Sequence, residues 1–328
     1  MTVLKKLLLA AMLLPCWHVS YCWGFYAHKQ INYYAVFLLP PEMMLLYKPN
    51  INFLMEHAVD PDKRRYAVTA EGARHYIDID LYGRNAATIL PQQWDSAVAK
   101  FSADSLTARG IVPWWIQIMM RRLTAAFKEK NQSKILKLSA ELGHYVADAH
   151  VPLHACSNHN GQFTNQQGIH AFWESRLPEL LADKEWDFFI GKAMYLQNPA
   201  QFIWNRVYES AAAADTVLKA ERNLSNRFGS DQRFAFENKD GQLVRQYAAG
   251  YAKAYDAVLQ GMVERRMRQS IFAVASCWYT AWVNAGQPDL SVLSGKTFTE
   301  TDIKEFEDLD LQWKKAQMEP QRQGERTQ

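Results

Sequence analysis

Cysteine is nearly missing. Four occur in 328 residues, and two of them, Cys16 and Cys22, fall in an apolar N-terminal stretch. The other two, Cys156 and Cys277, allow one disulfide and exclude a disulfide framework. A surplus of one charge is missing too. The net charge is only +3, which excludes the strongly basic clamp that grips nucleic acid by charge alone. A substrate with few charges, or one held mainly by metal, fits that balance better. Beyond residue 22 no apolar run approaches the ~18 residues of a membrane-crossing helix, so the mature chain is expected to lack a transmembrane segment. Internal repeats and low-complexity runs are absent as well. Aromatic residues, in contrast, are plentiful at 11 Trp, 15 Tyr and 16 Phe, and the chain is long enough to bury a sizeable core.

The first 22 residues stand apart. Lys5 and Lys6 precede an apolar run over residues 7–14, and small residues at Ser20 and Cys22 suit a cleavage site before Trp23. Residues 1–22 are therefore expected to be a secretory signal, with the mature protein periplasmic or extracellular. A retained anchor or a lipoprotein signal ending at Cys22 is the alternative, although Tyr21 is a poor residue before such a cysteine.

From Trp23 onward the pattern is mostly helical, and an all-α, single multi-helical domain over 23–290 is expected. Apolar residues recur at helical spacing over 111–129, 133–149, 243–264 and 266–284, the last with Ile271, Val274, Trp278, Trp282 and Val283. Tyr76 to Leu81 reads as a short strand or a turn. Loops are marked at Pro40-Pro41, Asp60-Pro61-Asp62, 157–168 and 238–241. Residues 291–328 read as a charged, partly disordered tail.

The informative stretch runs from Gly143 to His154. His144 and Asp148 are four apart on a predicted helix, so both project from one face and can reach one metal ion. Pro152 ends or kinks that helix and lets His154 turn back toward a neighbouring ion. His170 and Glu174 repeat the spacing. A lone pair of this kind is more often a helix-surface pair. Two of them with His154 between favour a metal site, and imidazole with carboxylate suits Zn²⁺. Upstream, Asp60 and His75 are unremarkable alone. If the signal is cut before Trp23, that residue offers an amine and a carbonyl that can chelate a metal in a five-membered ring, with His28 within reach.

Together these residues resemble the superfamily of zinc-dependent bacterial phospholipases C and single-strand-specific fungal and plant zinc nucleases. Members begin their mature chains with a zinc-binding Trp and order their His, Asp and Glu ligands in this way. The resemblance covers Trp23 to Glu174 by motif and the remainder by helical character. It implies three zinc ions. One would take Asp60, His75, His144 and Asp148, and a second His154, His170 and Glu174. The third would take Trp23, His28 and the other oxygen of Asp148. The implied activity is phosphodiester hydrolysis by a metal-activated water, which Asp60 would orient or deprotonate. Lys63 and Arg64 lie about one turn beyond Asp60, near an arginine that in the nuclease branch supports transition-state charge; a solvated basic surface is the plainer reading.

The substrate is left open between single-stranded nucleic acid and phospholipid. Tyr76 follows His75 where the nucleases carry a base-stacking aromatic, while Glu174 and the short His154–His170 gap resemble the phospholipases. A secreted zinc-binding protein without turnover is the alternative function. No protein partner is implied. His57 and His159 read as loop or surface residues, and His150 as a support behind the ligands.

Overall fold

The computed structural model describes residues 24–239, 241–293 and 298–318. The expected signal and Trp23 lie outside the described residues. The fold is all-α apart from one two-stranded hairpin. Its centre is the pair of helices Val112–Lys128 and Gln132–Asp148, packed against each other and against the long helix Met262–Asn284. The Asn131 side chain caps the second of the pair by accepting from the Lys134 amide at 3.0 Å. Along that helix Ile135, Leu136, Ser139, Leu142 and Val146 recur on the inward stripe and are all buried. Helix Phe25–Val36 lies across Gln132–Asp148 and Met262–Asn284, while Pro199–Ser225 covers Val112–Lys128 from another side.

Aromatics fill the core. Trp114, Trp173, Trp204 and Trp278 are fully enclosed. Each indole must place its N–H, and Trp278 donates to the Ser139 carbonyl at 2.9 Å while Trp114 donates to that of Pro91 at 3.1 Å. Cys156 and Cys277 are buried free thiols. Among the described residues, no helix is long and apolar enough to cross a membrane.

Two expectations are corrected. The segment 243–264 is not one helix. Gln242–Tyr247 pairs antiparallel with Phe234–Lys239, in register from Phe234 opposite Tyr247 to Lys239 opposite Gln242. Gly241 closes the turn at φ 82° and donates to the Asn238 side chain at 2.9 Å. Helix Ala249–Val258 follows, and positive φ at Gln260 and Gly261 separates it from Met262–Asn284. Secondly, Asp60-Pro61-Asp62 opens a short helix, Asp60–Arg64, because proline's fixed φ suits a first helical turn. Tyr76–Leu81 resolves on the turn side: residues 76–78 are irregular and lead into the 3-10 segment Ile79–Tyr82.

Within the charged tail, residues Glu300–Met318 form a helix. Thr299 and Asp302 cap each other reciprocally, at 3.0 and 3.2 Å, and open helix Glu300–Met318. Phe306 and Trp313, seven residues apart, share one face. The Phe306 ring lies tilted 4.4 Å from that of His57 and edge-on 5.4 Å from that of Phe53, Trp313 lies 5.5 Å from Phe25, and Asp310 pairs with Lys63 at 2.6 Å.

Candidate metal centre

Helix Gln132–Asp148 delivers the centre of the site. His144 and Asp148 leave its C-terminal half on one face, both fully buried, with His144 Nε2 3.2 Å from Asp148 Oδ2. Gly143 makes this possible. A Cβ there would lie 1.9 Å from Asn32 Oδ1, so only glycine lets helix Phe25–Val36 approach so closely. The approach brings His28 onto the cluster, with its ring stacked on His144 at 3.8 Å between centroids and its Nε2 3.5 Å from Asp148 Oδ1.

Three groups of ligand-type residues result: His28 with His144 and Asp148, Asp62 with His75 and His144, and His154 with His170 and Glu174. The two oxygens of Asp148 face different groups. Oδ1 looks to His28, and Oδ2 lies 3.0 Å from His75 Nδ1. In the third group Glu174 Oε2 is 3.0 Å from His170 and 3.5 Å from His154. Glu174 follows a one-turn helix into a π-helical turn, Phe172–Arg176, so the four-residue spacing from His170 is kept across a widened backbone. His154 sits on the 3-10 turn Pro152–Ala155, and its Nδ1 donates to the His75 carbonyl at 2.7 Å.

Buried polar atoms ordinarily find partners, because an unmade hydrogen bond costs about 1–3 kcal/mol. Here they do not. Among the described residues, both nitrogens of His28, both oxygens of Asp62, His75 Nε2 and Asp148 Oδ1 are buried without a hydrogen-bond partner. Their electrostatics agree. Burial pushes His75 well below its ordinary value and His28 down to about 4, leaving neutral imidazoles with free lone pairs. Burial works against charge on Asp148 as well, but His144 and His154 hold its carboxyl well below the usual range. Burial pushes Asp62 up to about 6 against the pull of His144 and Arg65. The neutral imidazoles of His28 and His75, grouped with His144 and these carboxylates, form a donor set that could hold metal ions.

Of the residues expected at the site, the structure brings His28, His75, His144, Asp148, His154, His170 and Glu174 together and leaves Asp60 apart. Asp60 accepts from His57 Nδ1 at 2.6 Å and from Lys63 at 3.3 Å. Asp62 takes the place expected for it, 3.7 Å from His75 and 3.8 Å from His144. On a helix, residues two apart point about 200° from each other, so only one of the two aspartates can face the cluster. The same rotation corrects the basic residues. Lys63 is tied to Asp60 and Asp310, and Arg64 to Glu71 and Glu141. Arg65 is the one that approaches the group, 3.8 Å from Asp62 Oδ1.

Tyr76 is half-buried, and its carbonyl packs against Gly110, where a Cβ would stand 2.2 Å away. Trp23 lies outside the described residues, but the next amide, Gly24, donates to the Glu174 carbonyl at 3.2 Å. His57 stacks on Phe53 and is not a loop residue. His150, in the turn just past the end of helix Gln132–Asp148, is buried with its Nδ1 on the Val146 carbonyl four residues back. His159 is exposed, with its ring 6.2 Å from His170. Sequence reasoning missed Asp62, Arg65 and Glu71; for the first two, helical spacing from a common start at Asp60 was the available signal. Compared with known proteins, the chain matches no family model and no curated sequence.

Proposed function

We propose that this chain is an exported zinc hydrolase that cleaves phosphodiester bonds with three zinc ions. The observation that carries the reading is the convergence of three His/carboxylate groups on Asp148, whose two oxygens face separate groups at 3.5 and 3.0 Å. Asp62, His75, His144 and Asp148 would hold one ion, and His154, His170 and Glu174 a second. His28 and Asp148 would hold the third with the amine and carbonyl of Trp23, a role supported by the bond from Gly24 to Glu174. When bound, such ions supply Lewis acidity to a phosphodiester oxygen and lower the pKa of water.

The chain's own residues supply the rest. Arg65, beside Asp62, takes over from Lys63 and Arg64 the part of binding the diester anion. Half-buried Tyr76 would lie next to the bound substrate through its neighbour His75. Backbone carbonyls at Ala58 and His75 accept from His144 and His154, at 2.9 and 2.7 Å, and fix which ring nitrogen is presented inward.

Single-stranded nucleic acid and phospholipid share the scissile diester, and one experiment separates them. The processed protein beginning at Trp23 is analysed for metal and assayed on single-stranded DNA and on phosphatidylcholine. Close to three zinc ions per chain and chelator-sensitive hydrolysis of one substrate are expected. A metal-free protein, or one equally active in chelator, overturns the reading.

A further inference from the structure

A metal-bound histidine is held in place by whatever its other ring nitrogen donates to. His144 and His154 use backbone carbonyls for this, which substitution cannot remove. His75 is different. Its Nδ1 faces Asp148 and Asp62, and its Nε2 lies 3.7 Å from Glu71 Oε1. Glu71 is fully buried, four residues before His75 on the 3-10 turn Thr69–Arg74. Its orientation is over-determined. Oε1 accepts from the Tyr145 hydroxyl, and Oε2 accepts from Arg64 Nε at 3.1 Å and from Arg74 Nη1 at 2.7 Å. Arg74 is itself stacked on the Trp115 ring at 3.9 Å, and Arg64 is anchored to Glu141 at 2.9 Å.

We propose that Glu71 is a positioning residue for the metal centre: its carboxylate stands 3.7 Å from His75 Nε2, which makes no hydrogen bond, and by its charge favours the ring hydrogen on Nε2, the tautomer in which Nδ1 is presented to a cation. The inference rests on the metal reading given above. Once Nδ1 gives its lone pair to a cation, the ring hydrogen must sit on Nε2, and the Glu71 carboxylate faces it. A full carboxylate there strengthens the imidazole as a donor more than an amide does. Arg64, expected from the sequence to touch substrate, acts instead on Glu71.

The test compares zinc affinity of the folded protein, by competition with a chromogenic chelator, for wild type, Glu71→Gln and Tyr145→Phe. Glu71→Gln is expected to weaken one of the bound ions about 10- to 100-fold and leave the others unchanged. Tyr145→Phe keeps the carboxylate and frees one of its oxygens, and is expected to weaken the same ion by a smaller factor. If Glu71→Gln does not fold, Tyr145→Phe carries the test. A purely structural role would lower the melting temperature of the metal-free form and leave zinc affinity as in wild type, which overturns the proposal. Wild type that binds zinc but cleaves no phosphodiester defeats the proposed function and leaves this measurement decisive. Wild type that binds no zinc defeats both.

Discussion

Two buried polar clusters lie side by side, with His75 on their border. On one side His28, Asp62, His144 and Asp148 bring lone pairs together and leave many of them without partners. On the other, Arg64, Glu71, Arg74, Glu141 and Tyr145 bond to one another, with Arg64 Nη2 the one buried polar side-chain atom among them left without a partner, and Glu71 alone accepts from three side chains. His28 aside, they look alike in sequence, being polar and titratable residues spread over the same two stretches, 62–74 and 141–148. Unmade hydrogen bonds mark where a ligand belongs, and made ones mark framework. The largest test of that distinction is Asp148→Ala. It removes a carboxylate facing two groups, so it should lose more zinc than His154→Ala and forfeit most of the melting-temperature gain that zinc gives wild type. Equal zinc in both variants and wild type, by elemental analysis, would erase the difference between the clusters.

Gly143→Ala comes next. Its new methyl meets Asn32, whose amide bridges the Leu54 and Ala140 carbonyls at 3.0 and 3.1 Å. A cost of about 1–3 kcal/mol is expected, with weaker binding of the ion nearest His28 and an intact Arg–Glu cluster. Unchanged thermal unfolding would show that the helices tolerate a wider separation. Glu141→Gln strikes the other side. It should cost roughly 1–2 kcal/mol, equally with zinc and with chelator, and leave zinc content alone. A loss confined to the zinc-loaded form would move Glu141 into the metal cluster.

Asp78, in neither cluster, serves as the reference for acid effects. Burial and Asp80 push its carboxyl up to about 7 from an ordinary 3.8. The native state therefore keeps a proton that the unfolded chain releases, and stability falls as pH rises from about 4 through 7. Asp78→Asn should melt above wild type at pH 8 and level with it near pH 4. The opposite order would mean that the carboxylate has a partner in the native state.

Much of the fold was legible because burial repeats with the helical period. The expected 133–149 helix is Gln132–Asp148, and its two ligand-type residues were found from spacing alone. Asp62 was hidden because Asp60-Pro61-Asp62 read as a loop, and a loop has no face on which to choose between aspartates. The hairpin was masked by a helical reading that began at Leu243, just past the loop marked at 238–241. Helix Glu300–Met318 is mostly polar, and Phe306 and Trp313 become an apolar face only against Phe53 and Phe25. Glu71 is silent in sequence because its meaning lies in contacts with Tyr145, Arg64 and Arg74.

The ligand groups draw on a helix near the N-terminus, a short helix and turn in the sixties and seventies, the end of a central helix and a segment beyond residue 169. No stretch shorter than His28 to Glu174 contains the whole set. The centre therefore needs elements from residue 28 to residue 174 docked together, and loading with the proposed metal would be a chemical signal that all of them have reached their native places. A chain captured midway would carry the right residues yet have nowhere to put the ion.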